Sequence, residues 1–267
     1  MWRLIYTIAL ALVTFSYSAP ANVLDWSTVT WPPGSLSNTY PDPSSPGSSV
    51  SITMSGNTST FNGGSPSIVN DNLGGTGKPS LQLNTSNLFP SSFVTVTINF
   101  NAYPNGVYVQ NLNILDVDFS PGIIGLVAGW QDQIRNISAL TVTGQTVNPV
   151  AVAGGSAVTI TGNQITGWTA TGSARAGTGS SAGNVSLDFG NYRVTRITFS
   201  FGSGPGAPLL LASQVIGLDN ITFLLTPEKF PGAVAMMLCG LVLVVRTLFP
   251  LIRLRLNLSK EVTRIEP

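Results

Sequence analysis

From position 94 to 100 the chain alternates strictly: Val94, Val96, Ile98 and Phe100 are apolar, and Thr95, Thr97 and Asn99 between them are polar. A period of two places the apolar set on one face of an extended strand and the hydroxyl and amide set on the other, a pattern that an α-helix cannot use. The same period returns at Val185, Leu187 and Phe189 and at Ile197, Phe199 and Phe201. Further strand candidates lie at 49–54, 80–83, 107–119, 134–142, 150–153, 157–160 and 214–225. Turns rich in Gly, Pro and Asn separate them, among them Pro104-Asn105-Gly106, Ser120-Pro121-Gly122 and Thr161-Gly162-Asn163. About ten short strands without a convincing amphipathic helix predict an all-β fold, an antiparallel two-sheet sandwich of jelly-roll type. A β-helix is the rival architecture, and the absence of a fixed-period repeat counts against it.

Charged residues make up only 9% of the chain, there is no His, and the one cysteine, Cys239, lies in the apolar run near the C-terminus. No intrachain disulfide can staple the fold, so a core of its own must hold it. About 200 residues between the two apolar ends are enough for one such domain. Between Asn22 and Leu225 stand five bases (Lys78, Arg135, Arg175, Arg193, Arg196) and eight acids (Asp25, Asp42, Asp71, Asp116, Asp118, Asp132, Asp188, Asp219). That balance supplies no basic stripe to neutralise phosphates, which argues against nucleic acid as a partner. The lack of His removes the usual base from Ser and Cys nucleophiles and the usual imidazole from a zinc site.

The two ends carry addresses. Met1-Trp2-Arg3, an apolar stretch over 4–15 and small residues ending in Ala19-Pro20-Ala21 have the order of an export signal, with cleavage expected before Asn22. Positions 232–252 are apolar apart from Arg246, long enough to span a bilayer with some tilt, and are followed by Arg253, Arg255, Lys260 and Arg264. The excess of basic residues keeps that tail cytoplasmic and turns the rest outward. The expected organisation is a signal peptide at 1–21, a β-sandwich ectodomain at 22–225, a Pro-Glu stalk at 226–231, a transmembrane or sorting helix at 232–252 and a basic tail at 253–267. Within the ectodomain, 22–47 reads as a leading segment laid over the sandwich, and 171–184 as a loop too poor in apolar surface to order itself.

Pro227-Glu228, the apolar helix and Arg246, Arg253 and Arg255 resemble a bacterial PEP-CTERM sorting signal. The resemblance implies an exosortase-type membrane protease as partner, or a single-pass anchor in membrane lipid. Both imply a bacterial envelope or cell-surface location. Lys229 stands where that motif has its second proline, and the tail runs past Arg255 where such signals stop.

Leu115-Asp116-Val117-Asp118, followed by Trp130-Gln131-Asp132, is the motif with most chemistry in the ectodomain. If this segment is extended, Asp116 and Asp118 leave one face together, and like charges so placed need a positive partner. Calcium, bound by Asp116, Asp118, Asp132 and Asp219, would answer that need, with the Gln131 amide as a further ligand; Arg135 could pair with one of the acids instead. The bland alternative is a set of turn and strand-end carboxylates capping backbone amides. A carbohydrate-active hydrolase using paired aspartates is the catalytic alternative, but its general acid needs an apolar pocket that this hydroxyl-rich sequence does not advertise. Trp130 and Trp168, with Tyr103, Tyr108 and Tyr192 behind them, are the candidates for stacking on an extracellular glycan.

Several of these stretches, with Tyr103-Pro104-Asn105-Gly106-Val107, Asn163, Thr166-Gly167 and Gly217-Leu218-Asp219-Asn220-Ile221, are similar to a β-sandwich domain of bacterial surface proteins. The similarity implies a jelly roll like that of carbohydrate-binding modules, without catalysis. The expected function is therefore that of a non-catalytic, surface-anchored envelope protein with a matrix, adhesion or glycan-contacting role. A pure spacer that only displays the 171–184 loop is a third possibility.

Overall fold

The computed structural model describes residues 21–86, 92–120, 129–167, 179–207 and 213–225. Eighteen strands are found among them. In chain order these are β1 Ala21–Leu24, β2 Ser37–Pro41, β3 Ser49–Gly56, β4 Ser67–Val69, β5 Ser80–Thr85 and β6 Phe93–Asn101. Next come β7 Val107–Asn111, β8 Asn113–Leu115, β9 Phe119–Ser120, β10 Trp130–Thr141, β11 Thr146–Val147 and β12 Ala151–Gly154. The last six are β13 Val158–Thr161, β14 Gln164–Gly167, β15 Val185–Asp188, β16 Val194–Ser203, β17 Gln214–Leu218 and β18 Ile221–Leu225. Two short 3-10 turns, Thr58–Thr60 and Leu73–Gly75, are the only helical elements among the described residues.

These strands form an antiparallel two-sheet sandwich. The larger sheet has 12 strands and follows β1-β18-β7-β16-β10-β14-β13, with β6, β3 and β2 extending from β16; the smaller has six in the order β12-β15-β8-β17-β5-β4. Two adjacent strands pass between the sheets at one corner. β7 pairs β18 in the larger sheet and β8 pairs β17 in the smaller, so the chain bends at buried Leu112 on one strand and at Asp219 and Asn220 on the other.

The alternation that opened the sequence becomes the core. Val94, Val96, Ile98 and Phe100 of β6 meet Val50, Ile52 and Met54 of β3 and Ile197, Phe199 and Phe201 of β16 on the inner face, all buried. Leu81, Leu83, Ile114, Ile216 and Leu218 close on them from the smaller sheet. Burying a side chain of this kind contributes about 1.5–3 kcal/mol, which is how the fold stands without a disulfide.

The segment 22–47 is not laid over the sandwich but built into it. β1 and β2 are strands of the larger sheet, and Trp26 and Trp31 are core residues at 1% and 4% exposure. Short runs such as Asn22-Val23-Leu24 carry too little periodicity to be read as strands, and the pairing surface of β18 and β3 decides them. Residues 179–184 of the expected loop are likewise held, through Val117 N–H to Gly183 O at 2.8 Å and Ala157 N–H to Ala182 O at 2.9 Å. The remainder of that loop, the leader before Ala21, Trp168, and everything from the stalk onward lie outside the described residues. Among the described residues no helix is long and apolar enough to cross a membrane.

β1 and β18 run antiparallel with Ala21 opposite Leu224, so the chain enters and leaves the domain at one place. Leu225 pairs with Val107, which pairs with Val194 at the start of β16. Asp132 pairs with Ser203 at the other end of β16, about 30 Å away at 3.3 Å per strand residue.

Candidate functional site

Three of the four predicted carboxylates, Asp116, Asp118 and Asp132, lie toward that far end, though not as an extended strand would place them. Asp116 has φ +64, a left-handed conformation that breaks the chain between β8 and β9, so Asp116 and Asp118 do not share a strand face. Asp118 and Asp132 turn inward, at 3% and 1% exposure. Asp132 N–H donates to the Asp118 carbonyl at 2.9 Å. Asp118 N–H donates to Asp132 Oδ2 at 3.1 Å, and the Trp130 indole Nε1–H donates to Asp118 Oδ1 at 2.6 Å.

A layer of amides surrounds this pair. Gln131 donates from Nε2 to Gly167 O at 3.1 Å and accepts Gly206 N–H on Oε1 at 2.6 Å. Gln214 Nε2 donates to the Gln131 carbonyl at 3.0 Å, and Ser203 Oγ donates to Gln214 Oε1 at 3.0 Å. Gly167 passes so close to the Asp118 carbonyl that a Cβ would overlap it. The Gln131 amide is therefore spent inside the fold and is not free to serve as a metal ligand.

Burial first, and the negative charge of Asp118 second, push the Asp132 carboxyl well above the ordinary carboxylate value; the Asp118 N–H pulls the other way without cancelling them. Its Oδ1 is buried with no hydrogen-bond partner. The hydroxyl-rich sequence advertised no such environment, because the burial comes from segments distant in the chain. A raised carboxylic acid is one requirement of a glycosidase. The other is access to a substrate oxygen, and a group 1% exposed does not provide it.

Asp219 stays apart from the other three acids. It sits in the corner between β17 and β18, where its Oδ1 caps Asn220 N–H at 2.8 Å and its Oδ2 accepts Asn113 Nδ2 at 3.1 Å. Asn220 Oδ1 in turn accepts Trp26 N–H at 2.9 Å. This is the capping role, and it leaves Asp219 outside any common point with Asp116, Asp118 and Asp132. Among the described residues no group of three or more His, Cys, Asp or Glu side chains is arranged to hold a metal ion. Among the described residues Arg135 pairs with no acid; its guanidinium lies over the Phe93 ring, 3.2 Å from the centroid.

The aromatic candidates divide. Trp130 is half-buried and tied to Asp118. Tyr103 is a core residue at 5% exposure, donating its hydroxyl to Asp42 Oδ2 at 2.8 Å. Only Tyr192, at 40%, is a freely exposed ring among those described.

A second polar surface is much larger and was visible in the sequence only as the polar half of an alternation. On the outer face of the larger sheet, register aligns hydroxyls, amides and two arginines in rows across four and five strands. One row runs Ser37, Thr53, Thr97, Thr198, Ser138. The next runs Thr39, Ser51, Asn99, Arg196, and a third Ser55, Thr95, Ser200, Arg135. Thr95 and Ser200 share a hydrogen bond at 3.1 Å, and Asn101 donates to Ser51 at 2.8 Å. Thr53, Thr97 and Thr198 are half-exposed and none of the hydrogen bonds between described side chains uses them.

The class defined by these observations is an antiparallel two-sheet β-sandwich with a sealed carboxyl pair at one end and a hydroxyl-lined outer sheet. No protein-family model matches the chain, and no curated protein matches it. Two solved structures that match are both carbohydrate-binding modules. One, described for specific mannan recognition, is 13% identical over 77% of this chain and 98% of its own, with a TM-score of 0.29. The other, a family 11 module of a cellulosomal cellulase of Clostridium thermocellum, is 12% identical over 80% of this chain and 99% of its own, with a TM-score of 0.27.

Proposed function

We propose that this chain is an exported, membrane-tethered, non-catalytic envelope protein whose sandwich, of jelly-roll type, contacts glycan. The observation that carries the reading is the outer face of the larger sheet. It is flat in chemistry if not in shape: rows of Thr, Ser and Asn with hydrogen-bonding capacity left over, which suits a partner made of hydroxyls. Twist of about 20–25° between neighbouring strands favours a flexible single polymer chain over a crystalline surface. The sealing of Asp118 and Asp132 supports binding without turnover.

The tether belongs to the same reading. Ala21 pairs with Leu224, so the expected leader and the expected stalk both connect to the same edge of the larger sheet. Pro227, Glu228, Arg246, Arg253 and Arg255 are the residues proposed for sorting. The test is a full-length Cys239→Ser chain carrying Leu36→Cys, a position 41% exposed, in intact cells. A membrane-impermeant maleimide should label it before lysis, and the chain should fractionate with membranes. Labelling only after lysis, or recovery with soluble cytosolic protein, overturns the proposal.

A further inference from the structure

The strands of the larger sheet carry two cations and one acid, and they face opposite ways. Arg135 and Arg196 point outward from β10 and β16, while Asp132 points into the core. The domain has an excess of acids, yet the outer face of its larger sheet has none: the others sit in turns, in loops, in the smaller sheet or in the interior. Arg196 is exposed and joined to no described residue by an ion pair, with Asn99 and Ser51 beside it in register. Arg135 has its guanidinium fixed on Phe93, and its register partner Ser200 lies four residues along β16 from Arg196, about 13 Å at strand spacing.

From this we infer that the glycan the outer face takes is acidic: a linear polysaccharide bearing carboxylates, of the uronate class. The inference rests on the glycan-contacting reading and narrows it. Arginine presents a planar fork that matches a carboxylate with two parallel, charge-assisted hydrogen bonds, roughly twice as strong as those a neutral hydroxyl can accept. The Thr, Ser and Asn neighbours then meet the sugar hydroxyls between carboxylates. Two cations on a domain of net negative charge suit a polymer of sparse charge, not the dense phosphates of a nucleic acid.

The experiment uses the full chain in detergent and two soluble probes, polygalacturonate and a neutral mannan of similar length, with binding measured at low and high salt. Polygalacturonate should bind at least about tenfold more tightly than mannan, and the preference should shrink as salt rises. Arg196→Gln should lose about tenfold of the polygalacturonate affinity and Arg196→Lys should recover part of it, since a point charge replaces the fork. An unchanged melting temperature shows that Arg196→Gln is folded; Arg135 is left in place because it packs on Phe93. Equal binding of the two polymers, or an Arg196→Gln chain that binds as well as the parent, overturns the acidic assignment and leaves glycan contact standing. Failure of both polymers to bind overturns both.

Discussion

Asp118 and Asp132 hold each other through reciprocal backbone contacts, Asp132 N–H to Asp118 O at 2.9 Å and Asp118 N–H to Asp132 Oδ2 at 3.1 Å, at a place from which water is shut out. Burial, and then the charge of Asp118, push the Asp132 carboxyl well above the ordinary carboxylate value. A raised carboxyl means that the folded chain binds its proton more tightly than the unfolded one. Below the ordinary value of 3.8 both forms are protonated and nothing is lost; above it the unfolded chain gains by ionising, so stability falls as pH rises toward the folded value of Asp132, and the full cost remains beyond it.

Asp132→Asn keeps the shape, keeps an oxygen for Asp118 N–H, and removes the titration. Thermal melts from acidic to alkaline pH should show the variant equal to or more stable than the parent at neutral pH and above, with a flatter profile. A variant that loses stability most at high pH would show that the ionised carboxylate, not the acid, is the form the fold holds.

Gly167 ends β14 where the Asp118 carbonyl crosses it, and a side chain there has backbone to displace, not a yielding side-chain tip. Gly167→Ala should cost about 3 kcal/mol or more. Gly63, with open space around it and an ordinary φ, is the control, and Gly63→Ala should stay within about 0.5 kcal/mol. Denaturant unfolding of the two variants checks the contrast, and equal midpoints would mean that the two segments can part without consequence.

Asp42 titrates in the opposite sense to Asp132. Burial raises it, but Ser44 Oγ at 2.7 Å and Ser44 N–H at 2.9 Å donate to one oxygen, Asn22 Nδ2 at 2.7 Å and Tyr103 OH at 2.8 Å to the other, and the carboxyl ends below its ordinary value. Its contribution is present above 3.8 and is lost as pH falls through the lower folded value. Tyr103→Phe should cost about 1–2 kcal/mol at neutral pH, because a hydrogen bond to a charged acceptor is removed while the ring stays packed on Phe100 and Phe223. The cost should fade in strong acid. A loss that does not vary with pH would assign the effect to ring packing instead.

Much of the sandwich was legible because its central strands are long and strictly periodic: β6 and β16 follow directly from their alternation, and β3 and β10 from runs that the structure lengthens by a few residues. What was missed had little local signal. β1 and β2 depend on partners elsewhere in the chain, and the long run at 107–119 divides into β7, β8 and β9 because Leu112 turns a corner between sheets and Asp116 adopts φ +64. The carboxyl site was legible in its members and not in its geometry. Sequence spacing placed Asp116 and Asp118 on one face, whereas the left-handed Asp116 separates them; the distance of Asp219 from the rest follows from its position in the other strand of that corner. The hydroxyl face was in view as Thr95, Thr97 and Asn99, but rows across strands exist only once register is known.

Thr97 and Thr198 test that face without disturbing what lies beneath it. They are directly opposed on β6 and β16, half-exposed, and their neighbours Ile98 and Phe199 carry the core on the other side. Thr97→Val with Thr198→Val keeps the branched shape that a strand favours and removes two hydroxyls from the centre of a row. Stability should move by no more than about 0.5 kcal/mol per site. Retention of the full chain on an immobilised polysaccharide should fall by about tenfold, the effect of losing two hydrogen bonds of about 1 kcal/mol or less each. A neighbouring change on the sealed side, Trp130→Phe, should leave retention unaltered although it removes the donor to Asp118, because that indole nitrogen is already engaged within the fold. If Trp130→Phe abolishes retention while the paired valines do not, the contact surface is at the carboxyl-pair end, and the rows of threonine are only the solvated back of a sheet.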